Sequence, residues 1–310
     1  MPNERRSLIL GASGLLGRHI LKKLGPARTV TTYRSHAIEG GVYFDAGQMR
    51  LKDTLLREGH NIDSAFILFG VTSLDVCARD PVGSARINVD SIKIAIDDML
   101  EAGVKPVFAS SDAVFDGSRG FWVECDQTTP ILTYGKQKLE VERHLKALSK
   151  GAVIARLSKL VSGYVEPRNP LNEWIDQVEN GEAIRCATDL VFSPADVVDA
   201  ADSLIRLAQG NSTGVFHVCG PAALTRMELF QRLASAIVTH GGRPRPTMVP
   251  CRMEDLPLVE PRPLDVSMNP SKLYKEIGRV FRTMDAVCVD LVRRRYGGRV
   301  GHSVSRSEVV

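Results

Sequence analysis

Three short stretches of the chain carry the residue types of a carbonyl-reducing site: Gly11-Ala12-Ser13-Gly14-Leu15-Leu16-Gly17, Ser110-Ser111-Asp112 and Tyr134-Gly135-Lys136-Gln137-Lys138. Glycines at that spacing suit a dinucleotide pyrophosphate. A hydroxyl, a phenol and an ammonium suit a carbonyl that is polarised, protonated and reduced by hydride. Tyr134 and Lys138 lie four residues apart on a predicted helix, so they share one face, one turn apart. A lysine ammonium about 4 Å from a phenol, at an effective dielectric near 20, contributes on the order of 4 kcal/mol, roughly three pKa units. Desolvation opposes this, and the expected net sign is a more acidic tyrosine. Ser111 ends a predicted strand at the carboxyl edge of a sheet, where open α/β folds bind ligands.

The glycine stretch follows one predicted strand and opens a predicted helix. Gly11 allows the tight turn, Gly14 lets the backbone approach a pyrophosphate, and Gly17 lets the helix pack closely on the strand; Ser13, Leu15 and Leu16 share the turn. The spacing is G-x-x-G-x-x-G rather than G-x-G-x-x-G. After the second strand the chain reads Thr31-Thr32-Tyr33-Arg34-Ser35-His36, with no acid to bond a ribose diol or repel a phosphate. Arg34 suits a 2′-phosphate, which favours NADPH over NADH. Asp45, just past the third strand, is placed to reach an adenine edge.

These residues need a scaffold, and the apolar patterning supplies one. Ser7 to Leu10, Thr29 to Tyr33, Val42 to Phe44, Ser64 to Phe69, Pro106 to Ala109, Ala152 to Leu157 and Val215 to Val218 read as strands. Helical segments fall at Leu15 to Leu24, Met49 to Glu58, Ser84 to Ala102, Thr133 to Leu148, Leu171 to Asn180, Ala195 to Ala208, Met227 to Val238 and Lys272 to Ile277. Strands alternating with helices predict an α/β fold, a Rossmann-type doubly wound parallel sheet with a smaller C-terminal α+β substrate-binding cap. The expected division is a nucleotide domain over 1–165 to which 190–222 return, a cap from 166–189 and 223–292, and a basic flexible tail over 293–310. Prolines crowd Arg243 to Pro270, which reads as loops and short strands.

With 44% hydrophobic and 25% charged residues among 310, the composition is that of an ordinary globular protein. The net charge of +4 is accounted for by Arg293, Arg294, Arg295, Arg299 and Arg306 against Glu308, so the folded body balances to zero and no nucleic-acid groove is expected. The apolar run behind Arg5 and Arg6 is too short for a leader or a membrane span, which predicts a cytoplasmic protein with no membrane partner. Six scattered cysteines with no C-x-x-C pair read as reduced thiols, and isolated histidines predict no metal site.

Together these stretches resemble the extended short-chain dehydrogenase/reductases, and within them the dTDP-4-dehydrorhamnose reductase group. The resemblance runs to about Gly278 and rests on Gly11 to Gly17, Asp75-Val76-Cys77, Asp80-Pro81, Asn88-Val89, Ser110 to Gly117, Glu124 and Asp126 before Pro130, Tyr134 to Lys138 with Glu142 beyond, Ser193-Pro194, and Arg262-Pro263 leading to Ser271-Lys272-Leu273. It implies hydride transfer from NADPH to the keto carbon of a nucleotide-linked 4-keto-6-deoxy sugar. Tyr134 would be the proton donor, Ser111 the polarising hydroxyl, and Lys138 the ribose-binding ammonium. It also implies cofactor contacts at Ala46, Phe69, Gly70 and Asn88, and substrate contacts at Thr72, Asp112, Val114, Phe115 and Arg262. Three departures concern the sugar pocket: Ala113 stands where the group has an aromatic residue, Leu68-Phe69-Gly70 where it is Ala-rich, and Ser158-Lys159-Leu160 where it tends to have Trp or Tyr. The same resemblance admits a regulatory subunit like the beta subunit of methionine adenosyltransferase, or an epimerase or dehydratase. By analogy with extended members it admits a homodimer.

Overall fold

The computed structural model describes residues 5–57, 61–148 and 151–297. In chain order the first half contains β1 (Arg6–Leu10), α1 (Leu15–Leu24), β2 (Thr29–Tyr33), β3 (Val42–Tyr43), α2 (Leu51–Thr54), β4 (Ile62–Ile67), α3 (Leu74–Arg79), α4 (Pro81–Ala85), α5 (Ser91–Glu101), β5 (Lys105–Ser111) and α6 (Thr133–Leu148). The second half contains β6 (Val153–Leu157), β7 (Leu160–Val161), α7 (Pro170–Glu179), β8 (Ile184–Ala187), β9 (Val191–Phe192), β10 (Ala195–Asp196), α8 (Val197–Gln209), β11 (Gly214–Val218), β12 (Leu224–Thr225), α9 (Arg226–Gly241), β13 (Met248–Cys251), α10 (Ser271–Ile277) and α11 (Met284–Tyr296).

Seven strands form one sheet in the order β11-β6-β5-β4-β1-β2-β3, with every neighbouring pair parallel. Most strand residues are apolar because both faces of the sheet are covered, and polar residues among them, such as Thr31 and Thr32 on β2, Arg156 on β6 and His217 on β11, are buried as well. In β1, Leu8 and Leu10 face the core beneath α5 and α6, while Ile9 faces the core beneath α1 and α8. The order reverses between β4 and β1, which opens a crevice at the carboxyl ends of these strands. A separate core joins α7, α9 and α11 through Trp174, Phe230, Leu233, Val287 and Leu291. Small strand pairs edge it: β8 with β13 in parallel, and β9 with β12 antiparallel.

Several elements depart from the sequence reading. The helix expected over Ser84 to Ala102 starts earlier, where Pro81 opens α4 under an Asp80 cap, and runs without a gap through a π-helical turn, Arg86–Asp90, into α5. A π-turn adds a residue to the helical repeat and re-aims the side chains within it; here it buries Asn88 completely. The Met49 to Glu58 helix contracts to α2, and Glu58 lies outside the described residues. The parallel pair β8–β13 emerges from short, partly polar segments whose pairing is nonlocal.

The larger correction is α11. Arg293, Arg294 and Arg295 close this helix instead of opening a tail, because Val287, Cys288, Leu291 and Val292 bury its other side. Basic residues in a last helical turn complement the carbonyl end of the helix dipole. Arg295 also pairs with Asp176 at 2.7 Å and with Glu179, while Arg294 lies over the Tyr164 ring at 4.1 Å. Residues 298–310, with Arg299, Arg306 and Glu308, lie outside the described residues.

The position of α6 is set from inside the core. Glu142 accepts two hydrogen bonds from Arg156 on β6, at 3.0 and 2.8 Å, and one from the Ser110 hydroxyl on β5 at 2.6 Å. Burial works against the carboxylate, yet Arg156 and Ser110 hold Glu142 below the ordinary carboxylate range. Breaking such a pair leaves a buried guanidinium without its counter-charge. Glu142→Ala is therefore expected to cost about 3–5 kcal/mol at neutral pH, read as a lower urea midpoint. Because the folded pKa is depressed, this contribution is present above the unfolded carboxyl's pKa and is lost as pH falls through the folded one. The two proteins' stabilities should therefore converge in acid.

Candidate active site

The glycine stretch turns where β1 meets α1, on one wall of a cleft of about 470 Å³. A Cβ on Gly17 would lie 2.6 Å from the Gly11 carbonyl oxygen, and one on Gly11 would lie 3.0 Å from Phe69 N. Helix and strand are thus as close as backbone permits. Gly14 caps α1 without any side-chain hydrogen bond, and no acid stands in the first turn. The helix N–H groups there are left for an anionic ligand, and the dipole favours one. Ser13, Leu15, Leu16, Arg34, Asp45, Ala46, Phe69, Gly70 and Thr72 line the same cleft, together with Tyr33, Ser35 and His36. This donor set and shape fit a dinucleotide, and Arg34 has no acidic partner among the described residues. Asp45 accepts a hydrogen bond from Gly47 N at 3.0 Å, which shapes its turn.

Leu16, Phe69, Thr72 and Arg168 also border a second cavity of about 590 Å³, so the two spaces adjoin. Ser111, Asp112, Tyr134, Lys138 and Arg262 line this second cavity. Ser111 stands at the end of β5, its hydroxyl donating to Asp112 Oδ1 at 3.0 Å and accepting from Ala113 N at 3.2 Å. Tyr134 begins α6, whose first N–H group and Thr133 hydroxyl are held by Glu260 reaching over from the cap region. One turn on, Lys138 Nζ donates to the Ala109 carbonyl at 2.8 Å and stands 5.5 Å from the Tyr134 ring centre.

The electrostatics reverse one expectation. Burial, with the Asp112 charge adding to it, pushes the Tyr134 phenol up rather than toward neutrality. Lys138 cannot offset this because burial lowers its own pKa to about 8, and one of its protons is engaged by Ala109. Asp112 is pushed up by burial to about 6, against the Ser111 hydrogen bond. The phenol therefore enters the site as a proton donor beside a carboxyl that titrates near neutrality.

Three anticipated contacts fall elsewhere. Val114 and Phe115 are fully buried and line neither cavity; Phe115 stacks on Trp122 with ring centres 4.5 Å apart, and Arg156 covers its face. The 3-10 turn Asp112–Val114 that leaves β5 points them into the core, behind the site. Asn88 is enclosed too. Its amide accepts from Val71 N at 2.7 Å and donates to Val71 O at 2.9 Å and Gln137 Oε1 at 2.8 Å, tying the Gly70-Val71 loop to α6. Arg262 faces the second cavity but is paired to Asp75, and its Nη1 is buried without a partner.

Arg168, Glu173, Trp174 and Arg226, which the sequence alone does not mark, border the second cavity together with Lys159 of the Ser158-Lys159-Leu160 departure. Arg168 adopts φ +63, a left-handed conformation uncommon for arginine. Asn169 next to it caps α7 and bonds the Ser162 and Tyr164 carbonyls, which fixes the loop. The Asn-Pro start of α7 was a legible sign of a fixed loop. The approach of α7 and α9 to β6 was not.

Three relatives frame this arrangement. The chain is 24% identical to the probable low-salt glycan biosynthesis reductase Agl14 of Haloferax volcanii, over 88% of this chain and 92% of that protein. It is 27% identical to methionine adenosyltransferase 2 subunit beta of Bos taurus, over 88% and 82%. Its fold superposes with a TM-score of 0.79 on the dTDP-4-dehydrorhamnose reductase of Bacillus anthracis solved in complex with NADP, at 19% identity, covering 96% of this chain and all of that one. The family model described as the RmlD substrate binding domain matches residues 5–295. A glycine cleft that opens onto a serine, a tyrosine and a lysine thus sits in a chain that belongs to the RmlD substrate-binding domain family.

Proposed function

We propose that the protein reduces a keto carbon of a nucleotide-linked deoxy sugar with NADPH, with Tyr134 protonating the oxygen. Family membership makes the chain an NAD(P)-dependent oxidoreductase, and the sugar and the residue roles are the proposal. It is carried by one observation: Ser111 from β5 and Tyr134 and Lys138 from α6 border one cavity that adjoins the glycine cleft. NADPH, when bound, supplies the hydride. Ser111 polarises the carbonyl by turning its hydroxyl from Asp112 to the substrate oxygen. Tyr134, kept protonated by burial, gives its proton to that oxygen as negative charge develops there. Lys138 keeps protons free beyond the Ala109 bond, to bind ribose hydroxyls and to hold positive charge beside the tyrosinate left behind. Thr72 and Arg262 serve the sugar and its diphosphate, and Arg34 the 2′-phosphate.

Net NADPH oxidation with a 4-keto sugar nucleotide tests the reading. Binding of cofactor without turnover, with co-purification of a partner chain, would point instead to a subunit role like that named for the bovine relative. Tyr134→Phe is expected to lower kcat by about two to four powers of ten with the NADPH Kd nearly unchanged. Lys138 loses its charge as pH rises through about 8, so kcat/KM should fall on that limb, and Lys138→Arg should carry the limb to higher pH. Arg34→Ala should reduce the NADPH-to-NADH preference about tenfold, measured as a ratio of kcat/KM values.

A further inference from the structure

We infer that Lys159 and Arg226 form a carboxylate-binding subsite at the sugar end of the second cavity, so that the protein selects a sugar nucleotide whose sugar carries a carboxylate over a neutral one. The inference rests on the reading above, and names the substrate class of that same site.

Lys159 follows β6 directly and Arg226 opens α9, and both side chains border the cavity that holds Ser111 and Tyr134. The Arg226 guanidinium lies 4.9 Å from the centre of the Trp174 ring, which orients its plane. Neither side chain has a carboxylate or carbonyl partner among the described residues, whereas Arg18, Arg50, Arg156, Arg282 and Arg295 each hold one. Burial, and then the charge of Arg226, work against the Lys159 ammonium, and burial works against Arg226. Two cations without a hydrogen-bonded counter-charge, against walls that include Phe192, Leu229 and Met253, repel each other, and the protein offers them the Trp174 ring and more distant carboxylates. Glu173 and Asp112 favour the charged lysine only through space. An anion between the two side chains would relieve both, and a planar carboxylate matches the guanidinium fork with a point charge beside it.

The place of Lys159 decides which anion. Leu157 at the end of β6 pairs with Ser111 on β5, and Lys159 follows two residues on along the same cavity, so this cation stands at the reacting end of the pocket. The diphosphate of a nucleotide sugar has its own cation in Arg262, with the unpartnered Nη1. The group that Lys159 and Arg226 meet is therefore a substituent of the sugar ring.

The test is calorimetric titration of the NADP-loaded full chain with UDP- and dTDP-linked glucose and glucuronic acid, on wild type, Lys159→Gln and Arg226→Gln. Wild type should bind the glucuronic form about tenfold or more tightly than the glucose form. Lys159→Gln should bring the two together without weakening the glucose form, and Arg226→Gln should do the same, with an unchanged NADP affinity as the check that each variant folds. Equal affinities in wild type, or a preference that survives both variants, would overturn the inference. Equal weakening of both sugars by the variants would assign these cations to the diphosphate and overturn it as well. If NADP binds but no nucleotide sugar does, the proposed function fails and the inference falls with it.

Discussion

The buried pair between Glu142 and Arg156 is the contact on which the site's geometry depends. Through it α6 is held against β6, and through the Ser110 hydroxyl it is held against β5. The residue after Ser110 is Ser111, and the residues one and two turns before Glu142 on α6 are Lys138 and Tyr134. A single carboxylate therefore sets the distance between the strand that carries the hydroxyl and the helix that carries the phenol. A buried ion pair is a poor source of net stability, since two charges must be stripped of water, but its directional bonds permit one arrangement and penalise others. A reaction that needs a proton donor and a polarising group at one oxygen is a reaction for which that selectivity matters.

A second constraint connects this helix to the cofactor cleft. Gln137 lies between Tyr134 and Lys138 and bonds to Asn88, which in turn holds both polar groups of Val71. Gly70 beside it has φ +152, and a Cβ there would sit 2.8 Å from the Asn88 oxygen. The loop that borders both cavities is thus locked to α6 by one enclosed amide. Movement of this loop and loss of the reacting geometry are coupled, because a buried amide has no water to turn to.

The cap region contributes position as well as walls. Glu260 caps α6 at Tyr134's end, and Arg262 reaches Asp75 near the loop after β4. Arg282 joins Asp196 before α8 to Asp290 on α11, so the core of the cap is tied by charge to the sheet domain.

The chain's own order of residues determined much of this. The alternation of apolar strand and helix segments produced a parallel sheet, because strands covered on both faces are made mostly of apolar residues. The glycine turn, Ser111, and the Tyr134–Lys138 pair were legible because each depends on local spacing, within a turn or along one helix face. What lay beyond sequence were facts of convergence. Val114 and Phe115 adjoin Asp112 in the chain but turn into the core, because a 3-10 turn rather than a continued strand leaves β5. Basic Arg293–Arg295 read as a tail until α9 supplied an apolar face for α11. The direction of the Tyr134 shift followed from burial, which no residue spacing encodes. Lys159 and Arg226 are 67 positions apart, and only the tertiary fold, which sets the start of α9 beside the end of β6, brings both to one cavity. Local periodicity is written in the chain, whereas desolvation and the meeting of distant charges exist only once the chain has closed on itself.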